Sequence, residues 1–453
     1  MPYATTNPYT NEVIKTFPDA TGAEVDAALD RAQAAFPAWR DTPIAERAAI
    51  FRKAAQLALE RKDELARLAT LEMGKSINES LMEVTGMAVP MLNWFADRAP
   101  EALQPTIRHQ SDTGAESIMT YEPQGIVFSI EPWNVPYYQA VRGFGPAAIA
   151  GNVVILKHAS IVPQCAQAIV DLLHDAGLPD GVWQNLYATH AQADRIIADP
   201  RVRVVTLTGS WQAGSHVAEL AGKALRKTIL ELGGSDAFVV LADADLEAAV
   251  GAAAAGRCFT MGQICASPKR MIVDESLYPA FLEGLKASMA NLHPGDPMDP
   301  TTTVAPLSSQ AQADTVKDQI RRAVAAGATA IPVGEPVPST GAFIQPTILT
   351  NVTPDNPIFR EEIFGLVPIV FSVPDEDAAV SLANDSPFGL TGMVWSKDPE
   401  HALAVARRMD TGQVAINGPL PAVSVDVPFG GVKSSGYGRE MGPEGVREFV
   451  NIK

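Results

Sequence analysis

Val202-Arg203-Val204-Val205-Thr206-Leu207-Thr208-Gly209-Ser210-Trp211-Gln212-Ala213-Gly214 decides the fold. Its first half is a β-branched run, its middle a Gly-Ser turn, and from Ala213 to Leu225 apolar positions repeat at helical spacing. The same texture continues on both sides. Upstream stand the strand candidates Ile126–Ile130, Val153–Leu156 and Trp183–Tyr187, with a helix pattern over Pro163–Ala176; downstream lies Thr228–Leu230. Strands alternating with helices imply a parallel sheet covered on both faces, an α/β fold. A second alternating region runs from Asp236 to about Phe429, with strands expected at Met271–Val273, Val367–Phe371, Gly392–Trp395 and Val414–Ile416. The boundary between the two falls at the Gly233-Gly234 turn. Ahead of both, Thr21 to Gly74 reads as helices. Thr21 and Glu24 form a capping box, Thr42-Pro43 starts a second helix with proline at its first position, and Gly74 stops the block.

The composition bounds the function. A chain of 453 residues, 47% hydrophobic and 19% charged, buries a large core and is not disordered. A net charge of −17 repels phosphate backbones and argues against a nucleic-acid partner. Three cysteines, Cys165, Cys258 and Cys265, are too few for a disulfide framework, and no metal-spaced His/Cys cluster accompanies them, so no metal is expected. Met1–Val13 lacks the apolar core of a signal peptide, and no run of roughly 18 apolar residues spans a membrane. The expectation is a soluble, cytoplasmic protein with no membrane partner.

Five segments carry chemistry. In Phe259-Thr260-Met261-Gly262-Gln263-Ile264-Cys265, a thiol after a Gly-Gln turn is placed to act as a nucleophile, whereas Cys165 and Cys258 fit the ordinary fate of a buried cysteine. Glu231, between two leucines at a strand end, is either a buried general base or an exposed strand terminus. Gly209 and Ser210, before a helix N-terminus, suit a diphosphate, although the pattern is not GxGxxG. Lys157 ends one strand and could reach a ribose or phosphate, and Asn134 follows another with an amide able to hold an oxyanion; a solvated lysine and a turn asparagine are equally ordinary.

Taken in order, seven segments resemble the aldehyde dehydrogenase superfamily over essentially the whole chain: Pro132-Trp133-Asn134, Lys157-His158-Ala159-Ser160, Thr208-Gly209-Ser210, Leu230-Glu231-Leu232-Gly233-Gly234, Gly262-Gln263-Ile264-Cys265, Glu361-Glu362-Ile363-Phe364-Gly365 and Pro428-Phe429-Gly430-Gly431. Within it, Glu231–Asp236 and Lys157-His158-Ala159 look most like the bacterial succinate-semialdehyde dehydrogenases. The resemblance implies a Rossmann-like cofactor domain (1–103 and 123–233), an α/β catalytic domain (234–430) and a small β oligomerisation element (104–122 and 431–453). It implies a homodimer or homotetramer; the chain stops at Val450-Asn451-Ile452-Lys453, several residues before many family members do, and a shortened final strand favours the dimer over the tetramer.

By the same resemblance, Cys265 would attack the aldehyde carbon, Asn134 and the Cys265 backbone N–H would hold the oxyanion, and Glu231 would activate water against the thioester. Glu362 and Phe364 would hold and flank the nicotinamide end of the cofactor, Lys157 the adenosine ribose, and Gly209 with Ser210 the diphosphate, with Trp133 and Gly214 bordering the site. Ser160 stands where strongly NAD-selective relatives carry an acid, which implies NADP preferred and NAD as the weaker alternative. Arg142, eight residues after Asn134, matches the arginine that reads a substrate carboxylate, with Ser424 as a helping hydroxyl; Phe259 stands where some relatives have a second arginine. The implied substrate is succinate semialdehyde, with short apolar aldehydes as the alternative; a structural arginine pairing elsewhere is as common. A cysteine hydrolase would need a histidine base that no motif supplies. A CoA-acylating enzyme would not need Glu231. Two departures from the family pattern are Leu366, for a turn proline, and Glu131, a charge directly before Pro132-Trp133-Asn134.

Overall fold

The Val202–Thr208 strand lies inside a six-stranded sheet, and the helix behind it starts at Trp211, where Ser210 caps it. The computed structural model describes residues 2–418 and 424–453. From edge to edge the sheet runs Gly436–Tyr437, Lys227–Glu231, Val202–Thr208, Ile126–Glu131, Val153–His158, Trp183–Asn185. Its first pair is antiparallel and the others are parallel. The chain lays three strands outward from Ile126–Glu131, then returns to place Val202–Thr208 on that strand's other side. Strand order therefore reverses between these two, and the helices leaving their carboxyl ends part to form a crevice.

A seven-stranded sheet follows, in the order Thr329–Pro332, Thr347–Thr350, Ile369–Val373, Pro268–Asp274, Asp236–Val240, Thr391–Trp395, Gln413–Ile416; all but its first pair are parallel. One apolar core runs under the first sheet, around Phe128, Phe144 and Trp183, and another under the second, around Phe238, Ile272 and Val370. Thr106–Gln110 and Glu116–Met119 form an exposed hairpin, and Tyr121–Pro123 pairs with the C-terminal Val450–Ile452.

Most expected elements stand within a residue or two of their places. The strand expected at Val367–Phe371 is Ile369–Val373, since Pro368 has no N–H for a ladder. The strand expected to reach Tyr187 stops at Asn185, ahead of a turn closed by the Ala188 N–H on the Leu186 carbonyl. Pro43 sits at the cap and Ile44 is the first helical residue. The hairpin Tyr3–Asn7 with Glu12–Phe17 and the helices from Ile77 to Asp97 carried no signal read from the sequence. Among the described residues, no helix is long and apolar enough to cross a membrane.

Two helices of the first layer begin with proline, lack a side-chain cap of their own, and receive one from afar. Glu83 Oε1 accepts from the N–H groups of Tyr137 (2.7 Å) and Tyr138 (3.1 Å) at the start of Pro136–Ile149. Glu72 accepts from Gln164 (3.1 Å) and Cys165 (2.9 Å) at the start of Pro163–Asp175. A carboxylate there satisfies orphan donors and complements the helix dipole. Glu83 is fully buried and pairs with Lys75, whose Nζ also reaches the Asn134 carbonyl at 3.4 Å. Removing one partner of a buried pair leaves an uncompensated charge, so Glu83→Ala should cost about 3–5 kcal/mol. Urea unfolding checks this; a loss below about 1 kcal/mol would contradict it.

Candidate active site

Two cavities meet at the sulfur-bearing loop. One, of about 290 Å³, lies in the crevice and is bordered by Trp133, Gly209, Ser210, Glu231, Glu362 and Phe364. The other, of about 230 Å³, is bordered by Met87, Tyr138, Arg142, Phe259 and Phe429. Cys265, Asn134 and Gln139 border both.

Local backbone geometry puts Cys265 there. After the Leu246–Cys258 helix, Thr260 (φ 50°), Met261 (φ 55°) and Gly262 (φ 73°) are consecutively left-handed, which turns the chain sharply. A Cβ at residue 262 would collide with the Gly365 carbonyl, so glycine is required. Lys269, buried, donates to the carbonyls of Ile264 (2.9 Å) and Cys265 (2.6 Å). Burial pushes the Cys265 thiol up to about 11, against the opposing pull of Arg142 and Lys269.

Glu231 ends its strand almost fully buried, and among the described residues neither carboxylate oxygen has a hydrogen-bond partner. Burial first, and the Glu440 charge second, hold its pKa well above the usual carboxylate range. Asn134 is buried too; its Nδ2 donates to the Gln263 carbonyl at 3.0 Å and its Oδ1 is unpartnered among the described residues.

The crevice suits a dinucleotide. Ser210 caps a 13-residue helix whose N-terminus opens toward it, accepting from the Ala213 N–H at 3.2 Å. The Gly209 N–H is tied to the Glu231 carbonyl at 3.0 Å, and Gly214 lets that helix close on Leu232. Glu362 folds against Gly233-Gly234, accepting from the Gly234 N–H at 3.2 Å with Lys269 at 3.3 Å. Phe364 meets Trp133 edge to face at 5.7 Å.

Other residues singled out in the sequence stand elsewhere. Lys157 is nearly buried, its Nζ 5.8 Å from the Tyr3 ring, and the half-buried Ser160 accepts from the Ala4 N–H at 3.0 Å; neither borders the crevice cavity. Ser424 is exposed and accepts from the Asp426 N–H at 3.3 Å, outside both linings. Phe259 and Arg142 border the second cavity, where Arg142 is paired with Glu440. Glu131 does not face Asn134. It accepts from Ser129 Oγ at 2.6 Å and lies under the Pro136–Ile149 helix, in space left by Gly143. Arg257, Lys269 and Glu440 were missed, because their partners lie across loops or far along the chain and follow no spacing rule.

The sequence profile of the Aldehyde dehydrogenase family matches residues 1–453. The chain belongs to the aldehyde dehydrogenase family. It is an oxidoreductase of aldehydes that uses a nicotinamide cofactor. It is 47% identical over 452 residues to a succinate-semialdehyde dehydrogenase [NADP(+)] of Deinococcus radiodurans, covering all of this chain and 94% of the relative. A probable succinate-semialdehyde dehydrogenase [NADP(+)] of Synechocystis sp. is 41% identical, covering all of this chain and 99% of that one. The crystal structure of succinic semialdehyde dehydrogenase from Streptococcus pyogenes, in complex with NADP+, superposes with a TM-score of 0.96 at 41% identity over 99% of this chain and 98% of the other.

A thiol held up at about 11 is mostly protonated near neutrality, and its thiolate fraction grows tenfold per pH unit below that value. In this aldehyde dehydrogenase without cofactor, alkylation of Cys265 by the uncharged reagent iodoacetamide should accelerate about tenfold per unit between pH 7 and 10. Peptide mass spectrometry separates it from Cys165 and Cys258. A flat profile would show a thiolate already formed at neutral pH.

Proposed function

We propose that this chain oxidises succinate semialdehyde to succinate, with NADP as preferred cofactor and NAD as the weaker one. The observation that carries the reading is the seating of Cys265 and Asn134 between two cavities which hold, among the described residues, an unpartnered buried carboxylate in one and a single guanidinium in the other. The names of the full-length relatives at 41–47% identity support the same substrate and cofactor.

Cys265, as thiolate, attacks the aldehyde carbon, and the Asn134 amide with the Cys265 N–H stabilises the oxyanion that forms. A bound nicotinamide cofactor supplies the hydride acceptor. Loss of hydride from the thiohemiacetal leaves a thioester on Cys265. Glu231 takes a proton from water, the hydroxide carbon–oxygen bond forms, and the carbon–sulfur bond breaks to release the acid. Glu362 and Phe364 hold the nicotinamide end, Gly209 and Ser210 the diphosphate, and Trp133 and Gly214 shape the wall; Lys157 and Ser160 serve the adenosine end. Arg142 receives the distal carboxylate and Phe259 packs the chain; Ser424, exposed and outside that lining, is not given the helping role expected of it. A second reading, oxidation of short apolar aldehydes, is favoured by Met82, Met87, Phe259 and Phe429 in the pocket and by the Glu440 partner that Arg142 already has.

The proposed division is a cofactor domain (1–103 and 123–233), a catalytic domain (234–430) and an oligomerisation element (104–122 and 431–453). The unbroken run of the first core reaches Leu232 and the second core begins at Ala237, in support; Ile264, Ala266, Leu390 and Phe429 of the catalytic domain, and Met441, Val446 and Phe449, nevertheless pack with the first. Exposed Ile107 and Ile118 on the hairpin support assembly into a homodimer or homotetramer, and the reading includes a cytoplasmic location.

Arg142→Ala should raise KM for succinate semialdehyde at least tenfold more than for butanal, because a bidentate carboxylate contact is lost with the first aldehyde alone. Equal effects on both would sink the carboxylate role. Ser160→Glu should move the ratio of kcat/KM values toward NAD, since a carboxylate repels a 2′-phosphate and grips a ribose diol. A wild type already as selective for NAD as that variant would refute the cofactor preference.

A further inference from the structure

Beneath the Pro136–Ile149 helix, three carboxyl groups are buried around one guanidinium. In the first sheet Ser129 lies opposite Thr206 and Glu231 opposite Thr208, so Ser129, Glu131, Thr206, Thr208 and Glu231 share one face. Glu440 reaches over that face: Thr206 Oγ1 donates to its Oε1 at 3.1 Å, and its Oε2 pairs with Arg142 Nε. Arg142 also donates to Thr208 Oγ1 at 3.3 Å and stacks its guanidinium 5.0 Å from the Phe429 ring. Glu131, Glu231 and Glu440 are each at most 3% exposed.

An anion brought into the second cavity meets a guanidinium whose partner is already in place. It also meets two further acids. Burial and the neighbouring Glu440 keep both Glu131 and Glu231 far toward their neutral forms. The other ionisable groups acting on this cluster are Tyr138 on the same helix, Cys265 from its loop, and Arg439 and Glu448 from the C-terminal segment. With Glu131 and Glu231 toward neutrality, Arg142 already has one carboxylate in Glu440, and a second anion on the same buried cation is strongly unfavourable unless charge is removed elsewhere.

We propose that a carboxylate-bearing aldehyde enters the second cavity together with one proton, which Glu440 accepts as it yields Arg142 to the incoming carboxylate. The proton comes from solvent and forms an O–H bond on Glu440. Arg142 keeps its own protons, and the charge of the buried cluster is the same before and after. This rests on the reading that Arg142 receives the substrate carboxylate. The sign is fixed by linkage: ligand and proton bind together, so affinity for the carboxylate falls as pH rises, by up to tenfold per unit. An uncharged ligand carries no such dependence.

Calorimetry on the full chain without cofactor tests this with butanoate, and with butanamide as its uncharged counterpart. Titrations at pH 6.5, 7.5 and 8.5 in phosphate and in Tris, whose ionisation heats differ, count the protons exchanged. The expected result is uptake of about one proton per butanoate, a Kd rising up to tenfold per pH unit, and neither effect with butanamide. Glu440→Gln should abolish the uptake and flatten the pH dependence. Butanoate binding with no proton uptake by the wild type overturns the proposal, whether or not the variant folds. Butanoate binding unchanged in Arg142→Ala, or no butanoate binding at all, instead overturns the underlying carboxylate reading.

Discussion

The active-site half of this chain depends on one buried side chain, Arg257. Its guanidinium donates to the carbonyls of Ile363 (2.9 Å) and Val367 (3.1 Å), to that of Gly365, to Gly262 at 3.4 Å and to Ser267 Oγ at 3.0 Å. Those acceptors belong to two irregular segments, one carrying Cys265 and the other Glu362 and Phe364. Neither segment has a ladder to satisfy its buried carbonyls, and one planar, five-donor group serves both. Burial lowers the Arg257 pKa to about 10, which leaves the group charged at neutral pH. The left-handed residues Thr260 and Met261 cost of order 1–3 kcal/mol each, and a conformation like that persists where its surroundings over-determine it. Arg257 on one side and the Gly365 backbone on the other do so here. Positions on the two sides of the crevice are therefore set by a single centre, and the nucleophile cannot drift without moving Glu362 and Phe364.

Buried acids in this protein fall into two kinds, separable by their hydrogen bonds. Glu72 and Glu83 each accept backbone N–H groups at a helix start, so their oxygens are occupied and their work is structural. Glu231 is equally buried, yet no donor among the described residues reaches it. An ionised carboxylate in that state is costly, which is tolerable only where a ligand, water or proton completes it. The contrast supports the proposed role of Glu231 on grounds independent of any motif. It also explains why Gly430 is needed beside it: a Cβ there would stand 2.7 Å from Glu231 Oε1.

Much of this was legible in the sequence, for identifiable reasons. Buried parallel strands are runs of β-branched residues, so Val153–Leu156 and Val202–Leu207 announced themselves, and the residues that end such strands border the crevice, as Asn134, Gly209 and Glu231 do. What stayed hidden depends on contacts without a period. The Arg142–Glu440 pair joins residues far apart in the chain. The direction of Glu131 is set by the missing side chain of Gly143, which no reading of Glu131 alone can supply. Lys157 lies near the end of a strand one place further from the crevice than that of Glu131, and Ser160 just after it, so both lie outside the crevice cavity.

Burial also gives the nucleophile and the acids a common resting direction. Removal from water favours the uncharged form of a thiol and of a carboxyl alike, so Cys265 and Glu231 are both pushed toward neutrality, although the proposed chemistry needs each of them ionised in turn. Two anions facing one small cavity would repel each other across little water, and the arrangement avoids that state at rest. Arg142 is the charge that acts on both, favouring thiolate and carboxylate together. Any ligand that engages Arg142 therefore weakens its hold on the two groups at once. On the proposed reading, substrate recognition and the protonation of Cys265 and Glu231 are thus coupled through one guanidinium, and a substitution at position 142 alters the protonation of both groups even for an aldehyde that never touches it.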